Sequence, residues 1–513
     1  MRAAFLRFRL DTFAAIVLVF LCALLLLSLQ NPTSLDDGLR HFAMATLLRE
    51  HGLFAVPGWS TFFYEGYMHT TPVDPWFLSD VLLIPFTYLP IAKGLQLFIV
   101  CDVAVLFTAF LLILRSLRLS ARDSTIFLML LVFGDTQFMG RFLLGRPYSL
   151  MTAMALFIIW SILQRRWILL SIVLVLSVLL SQLFVFPLFF CACALLAFLL
   201  AKHYGDALKL SAATIIGTIC GFLLHPHPLF YLQYLLTAFL KIPFLKSIGL
   251  SREMHSGIFD GSFLSMLAVT ATIILFAIRL HRQKVLFRVQ KDPNVLFLFF
   301  STAVLIVMFL LWVRAIDFLW PLLLISTARI YSVDRTAPHD LLQTLLPQHP
   351  QTTKILLWCC ILACIVEVSV LPYLFVRDDA SHTLAPYHTL SVLPTGSKVL
   401  NLDWDKFFVY VAARPDLTYA SGIDRSFTYL TDPSISDAIY GLEQATENGK
   451  TIPDLQKTIN TILSVYRSDY LIVSYAKFGP VIHVLQKNPA FGLLSDNGVI
   501  AIYAVPDWYR PLP

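Results

Sequence analysis

The sequence predicts an α-helical, polytopic membrane protein that ends in a small α/β domain. Three observations lead there. Hydrophobic residues make up 58% of the 513 and charged residues only 14%, against about 25% charged in soluble chains. Mean hydropathy is +0.74. Apolar runs of membrane-crossing length recur as far as residue 376 and then give way to a polar tail. A chain with so few charges cannot cover its surface against water, which excludes a cytosolic enzyme, a secreted disulfide scaffold and a disordered hub.

The first run follows Arg2, Arg7 and Arg9 and covers Thr12 to Gln30. At roughly 19 residues it is long enough to span and too long for the apolar part of a signal peptide, and no small-x-small cleavage site follows. It reads as an uncleaved first helix with the N-terminus inside. Further spans are expected at roughly 95–114, 124–140, 147–163, 167–183, 184–201, 209–224, 260–278, 295–312, 315–331 and 355–375, about eleven in all. Val81–Pro90 is apolar but short, and Pro85 and Pro90 interrupt it, so it reads as an interfacial or re-entrant helix. With that segment excluded, Arg115/Arg118/Arg122, Arg165/Arg166, Lys202/Lys209, the Arg279–Lys291 cluster and Arg329/Arg335/Lys354 all fall on the cytoplasmic side. The expected division is a transmembrane domain, 1–376, with interfacial helices in its first outer loop (31–94), and an outer α/β domain, 377–513.

The net charge of +6 comes from 38 basic and 32 acidic residues. No Lys/Arg run has the form of a nucleic-acid footprint, so the surplus reads as topology signal. The tail holds 11 Lys/Arg and 14 Asp/Glu, a net −3, which leaves +9 in the membrane part. All eight cysteines lie in apolar stretches. Cys191/Cys193 and Cys359/Cys360 lack histidines at metal-site spacing and read as small core residues.

The tail reads as a folded domain. Strands are expected at Ser397–Asp403, Asp469–Ser474 and Val499–Val505, helices at Asp405–Ala413 and Asp454–Tyr466, and a tight turn at Asp496-Asn-Gly498. Strands alternating with helices suggest a small α/β layer. The chain shows no internal repeat, Gly-rich phosphate loop, HExxH or GxSxG motif.

Chemistry concentrates in the first outer loop, which has six acidic and three basic residues. Leu35, Leu39, Phe42, Ala43 and Leu47 form an apolar stripe at helical spacing, as in a helix lying on the membrane. Asp36 and Asp37 open that helix, with Arg40 and His41 four residues on. Two readings stand side by side: the aspartates cap the helix, or one is a general base at the membrane surface. Elsewhere, Gly140-Arg-Phe-Leu-Leu-Gly-Arg-Pro-Tyr148 puts Arg141 and Arg146 at an outer span end, against the charge rule, where they either snorkel or hold phosphate. Arg314 lies between two spans with Asp317 three residues on, either as an i,i+3 pair or as a functional charge. His225-Pro-His-Pro reads as a turn.

This order of features resembles the GT-C superfamily of polyprenyl-phosphate-dependent glycosyltransferases, which includes protein O-mannosyltransferases and the aminoarabinose transferase. The features are one span, an acidic pair, an interfacial helix ending at Gly52, the stretch Pro72-Val-Asp-Pro-Trp-Phe77, many further spans and an outer domain. In that superfamily an Asp-Glu or a lone Asp of the first loop is the catalytic base. Asp36 matches the first motif position, and the Asp-Asp pair here leaves open which of Asp36 and Asp37 is the base. The usual His-Pro-Pro-Leu is replaced by Asp74-Pro-Trp-Phe77, so no subfamily follows. The resemblance implies that Arg141, Arg146 and Arg314 bind the donor phosphate, and that His41, Asp74, Trp76, Asp403 and Asp424 line the site or meet the acceptor.

The function so implied is transfer of a sugar from a polyprenyl phosphate to an envelope glycan, lipid or protein on the periplasmic side of a bacterial inner membrane. The sequence fixes no cofactor. A divalent cation is the one candidate, through Asp403, Asp405 and Asp424, which lie too far apart in sequence to define a metal site. The competing classes are a transporter or flippase, which needs charges near the midplane such as Asp102, Asp135 or Glu367, and a non-catalytic partner in envelope assembly.

Overall fold

The computed structural model describes residues 37–142, 145–242, 262–282, 292–333, 384–420, 422–447 and 455–510. The helices follow in chain order: α1 (Gly38–His51), α2 (Phe77–Leu83), α3 (Ile91–Ser116), α4 (Ala121–Phe133), α5 (Thr136–Phe142), α6 (Tyr148–Leu163), α7 (Trp167–Leu180), α8 (Val185–Leu200), α9 (Tyr204–Leu224), α10 (Pro228–Leu236), α11 (Ser262–Arg282), α12 (Pro293–Leu311) and α13 (Ile316–Val333). The tail adds β1 (Lys398–Asn401), α14 (Phe407–Ala413), β2 (Thr418–Tyr419), α15 (Arg425–Thr431), α16 (Pro433–Glu447), α17 (Leu455–Val465), β3 (Tyr470–Ser474), α18 (Tyr475–Lys487), β4 (Gly492–Asp496) and β5 (Ile500–Ala504).

The chain divides into two compact units. The first comprises residues 1–31, 96–224 and 249–377. Among its described residues, three segments of membrane-crossing length and hydropathy are Gln182–Leu200, Tyr204–Leu224 and Pro293–Leu311, and Ile91–Ser116, which enters it from the other unit, is a fourth. Tyr148–Leu163 and Trp167–Leu180 are apolar but shorter. The expected spans at 12–30 and 355–375 lie outside the described residues. Close helix packing uses small residues: a Cβ on Gly217 would sit 2.6 Å from the Ser171 carbonyl oxygen, and one on Gly221 2.7 Å from Val178 Cβ. Glycines four apart thus let α9 lie directly on α7.

One expected span is broken. Residues 124–140 read as continuous, but α4 ends at Gly134 and α5 starts afresh. Asp135 causes the break: its buried carboxylate accepts the Phe138 amide at 2.8 Å, as an N-cap does. Gly134 is needed beside it, because a Cβ there would lie 2.6 Å from the Trp320 ring.

The second unit gathers residues 32–95, 225–248 and 378–513. Its core is a five-stranded sheet of order β2-β1-β3-β5-β4. β1 pairs in parallel with β2 and β3, and β5 runs antiparallel to β3 and β4. The expected strands and α14 and α17 are present within a few residues. β2, β4, α15, α16 and α18 are additions, and the turn at Asp496-Asn-Gly498 closes the β4–β5 hairpin with Gly498 at φ +76°. The first loop belongs to this core. Phe63 bridges to Tyr419 beside β2, Phe63 stacks on Phe407 at 4.9 Å, and buried Tyr64 packs with Leu400, Leu463, Leu471 and Tyr503. Burying side chains of this size contributes about 1.5–3 kcal/mol each. Val81–Pro90 is not a span: α2 passes into a 3-10 turn, Ile84–Tyr88, with Pro85 in its first turn.

Candidate active site

In the second unit the first loop folds around buried charge. Asp37 takes the position before α1 with helical φ/ψ and makes no side-chain cap bond. Its carboxylate receives Arg40 Nη2 at 3.0 Å instead. Capping therefore does not account for Asp37. Asp36 lies outside the described residues. Arg40 is 4% exposed, and its guanidinium sits over the rings of Trp76 (5.0 Å) and Trp59 (5.4 Å). Two indole faces fix the cation that holds Asp37.

His41, expected beside Asp37, reaches instead across 39 residues. Its Nδ1 lies 2.7 Å from Asp80 Oδ1, and its ring meets Trp59 and Trp76 edge-on. Asp74 Oδ1 accepts both Trp59 Nε1–H and the Trp76 amide at 3.0 Å. Gly58 makes this possible. Its φ is +65°, and a Cβ there would lie 2.3 Å from the Val73 carbonyl carbon. The Asp74 carbonyl receives His225 Nε2–H at 3.0 Å, since the His227 amide donates to Nδ1 and fixes the tautomer. Burial pushes the Asp74 carboxyl up to about 6. It pushes Asp80 well above the usual range, with the Asp74 charge adding to the effect. Burial lowers His225 to about 4, so it is neutral. His225-Pro-His-Pro is the expected turn, with Pro228 starting α10.

In the first unit the three arginines singled out in sequence converge on one ring. The guanidinium carbons of Arg141, Arg146 and Arg314 lie 5.2, 5.7 and 5.9 Å from the centre of Tyr148. Gly145 (φ +68°) turns the chain so that Arg146 and Tyr148 face back towards Arg141. Asp317 bonds to Arg141 Nε at 2.8 Å, linking α5 to α13, where sequence spacing suggested Arg314. Three guanidinium groups gathered at one ring, among them the Arg141 that pairs with Asp317, are suited to phosphate oxygens. Tyr148 and the Arg141–Asp317 pair carried no sequence signal of their own beyond the Arg-Pro-Tyr run.

The tail carboxylates each have partners within the tail. Lys477 Nζ lies 2.9 Å from Asp405, 2.6 Å from Glu443 and 3.9 Å from Asp403. Burial raises Asp403 to about 6. Asp424 caps α15, accepting the Ser426 amide at 2.8 Å. Among the described residues no group of three His, Cys, Asp or Glu side chains is arranged to hold a metal ion. The charges a transporter would use are engaged in structure: Asp135 starts a helix, and Asp102 accepts the Ser149 hydroxyl at 3.1 Å. Glu367 lies outside the described residues.

No protein-family model matches the sequence, and no curated protein matches it. Solved structures do match in fold. The archaeal oligosaccharyltransferase AglB from Archaeoglobus fulgidus, in complex with an inhibitory peptide and a dolichol-phosphate, aligns with a TM-score of 0.57 at 12% identity, over 98% of this chain and 75% of that one. ArnT from Cupriavidus metallidurans, bound to undecaprenyl phosphate, aligns with a TM-score of 0.54 at 10% identity, over 98% and 99%. This chain shares the fold of these two structures. A further structure of the Archaeoglobus fulgidus oligosaccharyltransferase, a complex with Zn and sulfate, aligns at 0.54 and 12% identity, over 97% and 74%. At these identities the likeness is one of fold. The arginine cluster and the Asp37–Arg40 pair belong to this chain's own side chains.

Proposed function

We propose that this chain is a GT-C glycosyltransferase. It moves a sugar from a polyprenyl-phosphate donor to an envelope glycan, lipid or protein on the periplasmic side of a bacterial inner membrane. The observation that carries this is the convergence of Arg141, Arg146 and Arg314 on Tyr148. Such a cluster is costly to build and suits a lipid-linked phosphate. The fold supports the reading, since AglB and ArnT are seen with dolichol-phosphate and undecaprenyl phosphate.

In this scheme Asp36 or Asp37 takes the proton from the acceptor hydroxyl. The acceptor oxygen forms a bond to the anomeric carbon as the bond from that carbon to the phosphate oxygen breaks. The electron pair leaves with the polyprenyl phosphate, and configuration inverts. Arg141, Arg146 and Arg314 meet the charge that develops on the phosphate. Arg40 orients Asp37. Asp74 and Trp76 fix the loop that carries this pair, and His41 anchors it through Asp80. The acceptor enters between the first loop and the 377–513 domain, where Asp403 and Asp424 belong to the lining. The N-terminus and the Arg/Lys-rich loops are cytoplasmic in this proposal, and 377–513 is periplasmic.

The test is transfer by purified protein from a synthetic polyprenyl-phosphate sugar to envelope acceptors. Release of free polyprenyl phosphate that depends on Arg146 supports the reading, and release indifferent to all three arginines refutes it.

A further inference from the structure

Three helices of the first unit end in the same local structure. After α3, α6 and α8 an amide reaches back five residues: Leu119 to the Leu114 carbonyl (3.4 Å), Arg166 to Ser161 (2.8 Å) and His203 to Phe198 (2.8 Å). The preceding amides of Arg118, Arg165 and Lys202 reach back three. This is the Schellman termination, whose middle residue is usually glycine because its φ must be positive. Here those residues are Arg118 (φ +60°), Arg165 (+57°) and Lys202 (+62°). A basic side chain stands where glycine would cost less.

The α6–α7 and α8–α9 turns lie at one end of the helix bundle, tied together by Arg165 Nε on Asp206 at 3.0 Å. Arg165 also bonds to Asn294 at 2.7 Å, so its charge is engaged. Arg166 is different. It is exposed, and its guanidinium lies over Trp160 at 4.8 Å. Beside it is an open cavity of about 490 Å³ lined by Arg165, Arg166, Trp167, Ile168, Leu169 and Ile172. Ile168 is 81% and Ile172 50% exposed. Lys202 and Lys209 are exposed on the neighbouring turn and helix.

An exposed guanidinium beside an apolar helix face, with exposed ammonium groups on the neighbouring turn and helix, matches one ligand chemistry. We propose that this end of the bundle binds an anionic glycerophospholipid. The headgroup phosphate lies on Arg166, Lys202 supplies further charge, and an acyl chain runs along Trp167, Ile168 and Ile172. A zwitterionic lipid brings its own ammonium group into the basic rim and fits less well. Tryptophan beside arginine at a span end is the side-chain pair that membrane interfaces favour. This site is independent of the glycosyl-transfer reading, since it uses none of the residues assigned there.

The experiment is thermal unfolding of the purified full chain in detergent, titrated with phosphatidylglycerol, phosphatidylcholine of the same chains, or inorganic phosphate. Phosphatidylglycerol is expected to raise Tm, and the other two are not. Arg166→Gln is expected to leave Tm without lipid unchanged and to weaken the response roughly fivefold. Lys202→Gly removes a charge while giving the backbone its preferred residue. It should raise or preserve Tm without lipid and still weaken the response by a similar factor. Equal responses to the two phospholipids, an equal response to inorganic phosphate, or wild-type response in both variants would overturn the proposal.

Discussion

Arg40 binds Asp37 across one turn of the first-loop helix, and the carboxylate spends itself on that ion pair and caps no amide. The cation is itself clamped between Trp59 and Trp76. A half-exposed carboxylate held at fixed orientation by a buried cation is suited to accept a proton at one place. It is poorly explained as a helix start.

The first prediction follows from that pair. Asp37→Asn loses no cap, but it should cost part of the stability, because the buried Arg40 guanidinium keeps an amide acceptor and loses its carboxylate. Arg40→Gln should cost more stability, because it empties the space between two buried indoles. If Asp37 is the base, its Asn variant loses transfer while Asp36→Asn retains it. The reverse pattern assigns Asp36. Tm and transfer rate measured on the same preparations separate these outcomes.

Arg141→Gln leaves Asp317, which is 3% exposed, without its cation, and breaking a buried pair costs about 3–5 kcal/mol. Both stability and transfer should fall. Arg146→Gln should lower transfer about a hundredfold, and Arg146→Lys should rescue only partly, because an ammonium cannot make the two-pronged contact. Full rescue by Lys would mean that Arg146 merely anchors the loop in the interface.

Stability should depend on pH through Asp74. Its carboxyl holds the proton up to about 6 in the folded chain, against 3.8 unfolded. The folded state therefore binds the proton more tightly. Stability is lost as pH rises from 3.8 to about 6, and the cost is complete above that, on the order of 3 kcal/mol. Asp74→Asn keeps the acceptor for Trp59 and Trp76 and removes the buried charge. It should raise Tm relative to wild type at pH 8, with the gain vanishing near pH 4. A constant difference across that range would contradict the assignment.

Topology is directly checkable. A reporter fused after Val376 should be active only if it requires a periplasmic location. Activity of a cytoplasm-dependent reporter at that position would move every candidate residue to the other side.

What was legible in the sequence follows the range of the forces involved. Apolar runs gave the helices, because burial acts residue by residue. Short apolar, β-branched runs gave the sheet centre, whose strands β1, β3 and β5 are buried almost throughout. β2 and β4 were not legible: the first has two residues, and the second is an exposed edge with no buried periodicity. Asp135 broke an expected span because one buried carboxylate preferred an amide to continued helix. The individual arginines could be picked out by their position against the charge rule. Their convergence on Tyr148, and the reach of His41 to Asp80, are tertiary facts that spacing does not encode.

The most direct test of the central claim is lipid-linked sugar profiling in a strain whose only copy of the chain carries both Asp36→Asn and Asp37→Asn. The account predicts that the double variant is expressed in the membrane, that a polyprenyl-phosphate sugar accumulates as in a deletion strain, and that the wild-type chain clears it. A double variant that clears the donor as fast as wild type would contradict the account.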